Sequence, residues 1–443
     1  MTIVIVSLAI IAYVLIAGEY FTKINKTTIA IFTGVVAWIL YLTIDDDYQL
    51  TAATQAFSGH VEYIGGIVLY LLTTMNIVDV LSNNGCFNFV KDMVRSRSTN
   101  RLLWGLVGIT FLISANFDNL TTAVLMLGVM HNLLQNSSQR RFVGAAIVIA
   151  ACCGGCITVI GDVTSLMVWT RNAVTPSSFS FAMLAPALAG VAVPTLLIRR
   201  SLPDHLDLKS NRYNYYSDDS AMPIWQRTVM VIIGFVGLWF VPSFHRITLL
   251  PPFLGALCVL SVLWMLTEIF NRKSIQAESP MMIPGTNRRL HNEVIQMIMY
   301  FMGVALAVSV LKEIGVLEAC GRWIDTYIHD VYLFSGFIGL ISALLDNICL
   351  VFSAINIYDV LPAGTAATAY QSLFLQNGQY WHLVIISGCL GGCLLPIGNV
   401  TGYTLMKAED ASLRWYVRHI SGKVLAGWIA AMFTYFLVQY FVI

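Results

Sequence analysis

The sequence predicts an all-α polytopic membrane protein made of two inverted repeats. Each repeat has three spans, a re-entrant hairpin, a broken helix and a final span. Three observations predict it. Of 443 residues, 57% are hydrophobic and only 11% charged, with a mean hydropathy of +0.74, whereas a soluble protein carries about 25% charged residues. Apolar runs long enough to cross about 30 Å of hydrocarbon recur along the chain. Two polar motifs inside apolar surroundings also recur, in the same order and at nearly constant offset. These features exclude a soluble enzyme, a nucleic-acid binder and a disordered scaffold. A net charge of +1 leaves no field to attract polyanions.

In chain order the spans are 3–20, 28–44 and 63–81, then an irregular region, then 183–198. After a polar stretch come 225–241, 249–270 and 294–316, a second irregular region, and 424–442. The strand alternation of an outer-membrane barrel is absent. In the first irregular region, apolar 102–115 covers only about 21 Å as a helix. It meets the polar tip Asn116-Phe-Asp-Asn119, and 120–134 runs on from there. Around Asp346-Asn347 the same form returns. A glycine-broken helix follows each hairpin, interrupted at Gly161-Asp162 and at Gly398-Asn399. Irregular backbone at such depth survives only where protein or a water-filled cavity satisfies it.

The first repeat is therefore assigned to 1–200, with its hairpin at 102–134 and broken helix at 142–170. A cytoplasmic linker occupies 201–222. The second repeat takes 223–443, with its hairpin at 331–358 and broken helix at 382–407. An odd number of crossings per repeat inverts the second copy. With the N-terminus outside, every lysine and arginine except Arg171, Arg246, Arg322 and Lys312 falls inside, while Asp45-Asp46-Asp47 falls outside. This asymmetry predicts both termini outside and a multi-pass protein of the inner (cytoplasmic) membrane. The apolar N-terminus lacks a basic flank and reads as a retained span. Nine cysteines imply no disulfide framework; Cys152, Cys153 and Cys156 read as small packing residues, since no histidine accompanies them.

Ionisable groups at membrane depth are functional candidates by default. They are Asp118, Asp162 and Asp346, with Asp79 in the third span, and no lysine or arginine is expected at that depth. A buried carboxylate without a basic partner either takes up a proton or binds a cation. A site that does both in turn is a proton/cation exchanger. Ser114, Asn119, Thr121, Thr122, Thr164, Ser342, Asn347, Asn399 and Thr401 offer neutral oxygens to a hard cation such as sodium or lithium. Carbonyls freed at the Gly161 and Gly398 breaks add further ligands. Because Asp162 becomes Asn399 in the second copy, the principal proton-linked site is expected around Asp118 and Asp162. Asp118 and Asp346 also suit helix capping. No cofactor beyond the transported ions is expected.

At these residues the chain resembles the NhaD-type sodium/proton antiporters of the ion transporter superfamily. Four motifs carry the likeness: Ser114-Ala-Asn-Phe-Asp-Asn-Leu-Thr-Thr122, Ile160-Gly-Asp-Val-Thr-Ser165, Ser342-Ala-Leu-Leu-Asp-Asn347 and Thr74-Met-Asn-Ile-Val-Asp79. The resemblance implies a homodimer in which a transport domain moves like an elevator against a scaffold. It also implies cation sites of Ser114, Asp118 and Asn119 with Gly161 backbone, and of Ser342, Asp346 and Asn347 with Gly398 backbone. Cys152-Cys153, Asn116 and Lys312 depart from the family pattern. Within the superfamily the competing reading is a sodium-coupled carrier of a dicarboxylate or arsenite-like anion, which aspartates at the tips would repel. An intramembrane aspartyl enzyme and a cation channel are remoter alternatives.

Overall fold

The computed structural model describes residues 2–43, 47–87, 90, 93, 96, 98–209, 222–275, 285–365 and 368–441. Asp45 and Asp46 of the acidic loop, most of the 201–222 linker, and the charges at Lys91, Arg95, Arg97 and Arg212 lie outside the described residues. So do the side chains of Asp47, Lys273, Arg288 and Arg289. Among the described residues the chain is helical, with no strand beyond three isolated bridges.

The first part runs α1 (Thr2–Ala17), α2 (Lys26–Leu42), α3 (Asp47–Asn83), α4 (Thr99–Ser114), α5 (Asn119–Leu133), α6 (Ser137–Gly155), α7 (Val163–Thr170) and α8 (Pro176–Arg199). The second runs α9 (Ile224–Thr248), α10 (Pro252–Ile275), α11 (Gly285–Glu313), α12 (Val316–Tyr327), α13 (Val331–Ser342), α14 (Asn347–Ile355), α15 (Gln379–Gly392), α16 (Val400–Glu409) and α17 (Gly422–Phe441). Six described helices are long and apolar enough to cross a membrane: Ala52–Asn83, Pro176–Arg199, Ile224–Thr248, Pro252–Phe270, Val294–Glu313 and Leu413–Phe441. Large apolar side chains such as Trp239, Phe240, Ile269 and Phe433 are exposed on the outer surface. That surface suits lipid and not water.

The hairpin arms are short. α13 has 12 residues and α14 has 9, about 18 and 14 Å at 1.5 Å per residue, so neither crosses alone. Each tip ends where an aspartate caps the next helix. Asp118 accepts from the backbone N–H of Leu120 and Thr121, and Asp346 from that of Ile348. The broken helices stop earlier than the hydropathy suggests, at Gly155 and Gly392 in place of 160 and 397. Paired glycines there are poor helix formers, and the chain turns until Asp162 and Asn399 cap the restart. Two further differences concern length. α3 begins at Asp47, well before the apolar run at 63, and the strongly amphipathic α12 was not anticipated.

Close backbone approach joins α2 to α11, where a Cβ on Gly34 would lie 2.7 Å from the Gly303 carbonyl. Small residues allow such contact between membrane helices. In the same way α8 packs on α17, α4 on α6 and α13 on α15, and α10 also packs on α3. The continuously buried stretches of α6 and α15 form the centre of the molecule. The polar segment after α8 clamps the base of the first hairpin: Gln135 N–H donates to the Asp207 carbonyl and Lys209 N–H to that of Leu133, each at 2.9 Å.

Candidate ion-binding site

The tip between α4 and α5 is closed by backbone contact with the first broken helix. A Cβ on Gly161 would lie 2.8 Å from the Ser114 carbonyl and 2.9 Å from that of Gly155, so only glycine lets the break approach the tip this closely. The Ser114 hydroxyl donates to the Ala151 carbonyl at 2.6 Å, and Thr158 donates to the Ala115 carbonyl at 2.5 Å. One carboxylate oxygen of Asp118 accepts from Leu120 N–H at 3.0 Å and Thr121 N–H at 3.2 Å. Its other oxygen, Oδ1, is buried with no hydrogen-bond partner, as are Asn116 Oδ1 and Thr122 Oγ1. An unsatisfied buried polar group costs about 1–3 kcal/mol. Three bare oxygens within two turns of the tip are what an oxygen-seeking cation would satisfy. Asn119 is buried at the start of α5, and Asp162 lies within Coulombic range of Asp118.

The second tip has the same frame and different contents. The Ser342 hydroxyl donates to the Gly388 carbonyl at 2.7 Å, and Asn347 N–H donates to the Gly398 carbonyl at 3.2 Å. A Cβ on Gly398 would lie 2.4 Å from the Ser342 carbonyl. Asp346 Oδ1 accepts from Ile348 N–H at 3.1 Å, but Oδ2 is held by the Lys26 ammonium. Asp346 is fully buried, and the Lys26 side chain is 14% exposed. This corrects the expectation that no basic group reaches the depth of the tips. Lys26 opens α2 beside the N-cap Asn25, and from the sequence it reads as a solvated loop charge. Its ammonium also sits 4.7 Å from the Tyr300 ring centre.

Between the tips the two halves exchange partners. Asp162 accepts from the Thr164 hydroxyl and, at 3.3 Å, from the Cys389 thiol of the second half. Correspondingly Asn399 accepts from Thr401 N–H at 3.1 Å and donates to Cys152 Sγ of the first half at 3.1 Å. Asn347 Nδ2 reaches Cys389 at 3.9 Å. The cysteines thus do more than fill space, and their placement opposite the caps was invisible in the sequence. Asp79 belongs to α3, a different element from either tip, and is half-buried. Glu409, not singled out beforehand, is fully buried and accepts from Arg140 Nε at 2.6 Å and pairs with His131 Nδ1 at 2.9 Å. The only signal for it was an acid at the end of an apolar helix.

A cavity of about 920 Å³, lined by Glu19, Lys23, Lys26, Tyr300, Tyr403 and Lys407 among others, opens beside the second tip. A smaller pocket sharing Glu19, Lys26 and Tyr403 continues to Asp346. Lys312, the other departure noted in the sequence, donates to Asp359 at 2.8 Å, with Arg171 3.7 Å from the same carboxylate. Lys312 holds the Asp359 carboxyl below the usual carboxylate range.

Residues 11–375 match the family described as citrate transporter. The chain is 30% identical to sodium/proton antiporter 2 of Arabidopsis thaliana over 97% of its own length and 98% of that protein's. It is 25% identical to the Na(+)/H(+) antiporter NhaD of Vibrio cholerae, over 97% of this chain and 90% of that one. With the NhaD protein of Halomonas elongata it shares 23% identity over 98% of this chain and 88% of the other. The chain belongs to the citrate transporter family, as an NhaD-type member of the ion transporter superfamily, and is a multi-pass membrane transporter and not an enzyme.

Proposed function

We propose that this transporter exchanges sodium or lithium for protons by alternating access, with the first tip as its principal ion site. The observation that carries the reading is the set of bare oxygens on Asp118, Asn116 and Thr122 beside a second carboxylate, Asp162. A hard cation takes oxygen ligands, and a proton on either carboxylate competes with it for the same lone pairs. Exclusive occupancy by one or the other couples their movements. The names of the relatives point the same way. Asn119, Thr164 and the backbone at Gly161 complete the proposed ligand set.

The distribution of lysine and arginine supports an orientation with both termini outside the inner membrane. The family resemblance supports a homodimer in which the hairpins and broken helices move together like an elevator. α10 and α11, both packed on α3, suit the scaffold with it.

Everted vesicles carrying a pH-sensitive dye test the exchange. Sodium or lithium should restore fluorescence quenched by an acid interior, and Asp162→Asn should abolish the effect or shift its pH profile. A response to citrate or succinate alone would favour the anion carrier. No response to sodium or lithium, from a folded protein, would overturn the proposal.

A further inference from the structure

The two tips share a frame and differ in charge. The first holds two carboxylates, Asp118 and Asp162, and bare oxygens. At the second, asparagine replaces the break aspartate, and both oxygens of Asp346 are engaged, one by Ile348 N–H and one by Lys26. The buried unpartnered atoms include no side-chain oxygen of the second hairpin or of Asn399, and beside Lys26 they include the Tyr300 phenol oxygen of α11. The first tip therefore offers two carboxylates that a cation or proton can take, while the one carboxylate of the second is already paired with an ammonium.

Lys26 has no counterpart for the first tip by element order. The second span of the second part, α10, has a single charge between Pro252 and Phe270, Glu268, and its basic residues Arg272 and Lys273 come only at its far end. The ammonium is positioned as a bound cation would be. It contacts a carboxylate oxygen, lies against the Tyr300 ring as cations favour, and stands where the pocket at the second tip joins the larger cavity.

We infer that the Lys26 ammonium is the resident cation of the second tip, so that only the first tip takes a transported ion. The inference rests on the exchange reading above and assigns it a stoichiometry: a single sodium per chain. Removing the ammonium would turn Asp346 into a vacant carboxylate reached from the cavity.

Equilibrium binding of radioactive sodium to the purified full-length protein tests this, alongside the sodium dependence of proton flux in proteoliposomes. Wild type should bind a single sodium per chain with a non-cooperative flux. Lys26→Met should bind a second sodium and steepen the flux curve. The double variant Lys26→Met, Asp346→Asn should return to one, which a merely structural ion pair would not produce. Asp118→Asn should bind its sodium at least about tenfold more weakly than wild type. If Lys26→Met fails to fold, the wild-type count decides: two sodium ions per chain would overturn the inference. A folded Lys26→Met that still binds one would overturn it as well. Exchange with a two-sodium wild type sinks only this inference, whereas no sodium binding together with no exchange sinks the exchange reading beneath it.

Discussion

Replacing Asp118 by asparagine separates two jobs of one side chain. Oδ2 caps α5 through Leu120 N–H at 3.0 Å and Thr121 N–H at 3.2 Å, while Oδ1 is bare. Asparagine caps a helix about as well as aspartate, so the amide oxygen can keep the cap and the fold should survive unchanged. The amide nitrogen then takes the bare position, where it offers no lone pair and accepts no proton. Losing an interaction with a charged group costs about 1.5–3 kcal/mol, which at about 1.4 kcal/mol per decade is roughly 10- to 150-fold in sodium affinity. Because the variant leaves only Asp162 to take the proton, exchange should fall well below wild type even at saturating sodium, with an altered pH profile. The measurement pairs sodium-driven proton flux in proteoliposomes with thermal unfolding of the same preparation. Asp118→Ala adds the lost cap, about 1 kcal/mol, and should unfold earlier. Flux in Asp118→Asn within about threefold of wild type, equivalent to under about 0.7 kcal/mol, would refute the assignment of the first tip as the ion site.

Other outcomes follow from the packing. Gly398→Ala places a methyl 2.4 Å from the Ser342 carbonyl and 2.6 Å from that of Ala343. Both obstacles are backbone, so a cost of about 2–3 kcal/mol is expected. Gly161→Ala, with its nearest carbonyl at 2.8 Å, should unfold at a higher temperature than Gly398→Ala; the reverse order would contradict the geometry. Glu409→Gln strips the charge that faces Arg140 and His131 from a fully buried position and should cost about 3 kcal/mol, the lower end for a broken buried pair, read as a drop in unfolding temperature. Lys312→Met removes an exposed pair with Asp359 worth at most about 1 kcal/mol after screening. Asp359 titrates below its ordinary range because Lys312 bonds it. Its stabilisation is therefore present above the unfolded carboxyl's pKa and disappears as pH falls through the lower, folded value. The wild-type advantage in unfolding temperature should vanish in strong acid or high salt, and an advantage that grew in acid would reverse the sign.

Much of the fold was readable because its causes are local. Hydropathy located the long helices, and the caps at Asp118, Asp162, Asp346 and Asn399 each sit two residues before an N–H they accept from. Helix ends were less readable. The break after Gly155 depends on α4 lying against α6, and α3 extends to Asp47 through polar residues that hydropathy discounts. The tip residues could be named individually, but their roles could not be told apart. Asn116, read as a departure from the family pattern, supplies a bare oxygen at the first tip, and the Ser114 hydroxyl donates its hydrogen to Ala151, which leaves its oxygen lone pairs for the ligand role read from the sequence.

By itself the sequence determined that lipid is the solvent, that helices do the spanning, and that acids lie at two tips, since charge, apolar length and capping act within a few residues. Only the tertiary structure decided how the tips differ. Lys26 meets Asp346 across most of the chain, and Cys389 meets Asp162 across the two halves. Such pairings are set by how the helices pack, and no local pattern encodes which distant side chain fills the space beside a buried charge.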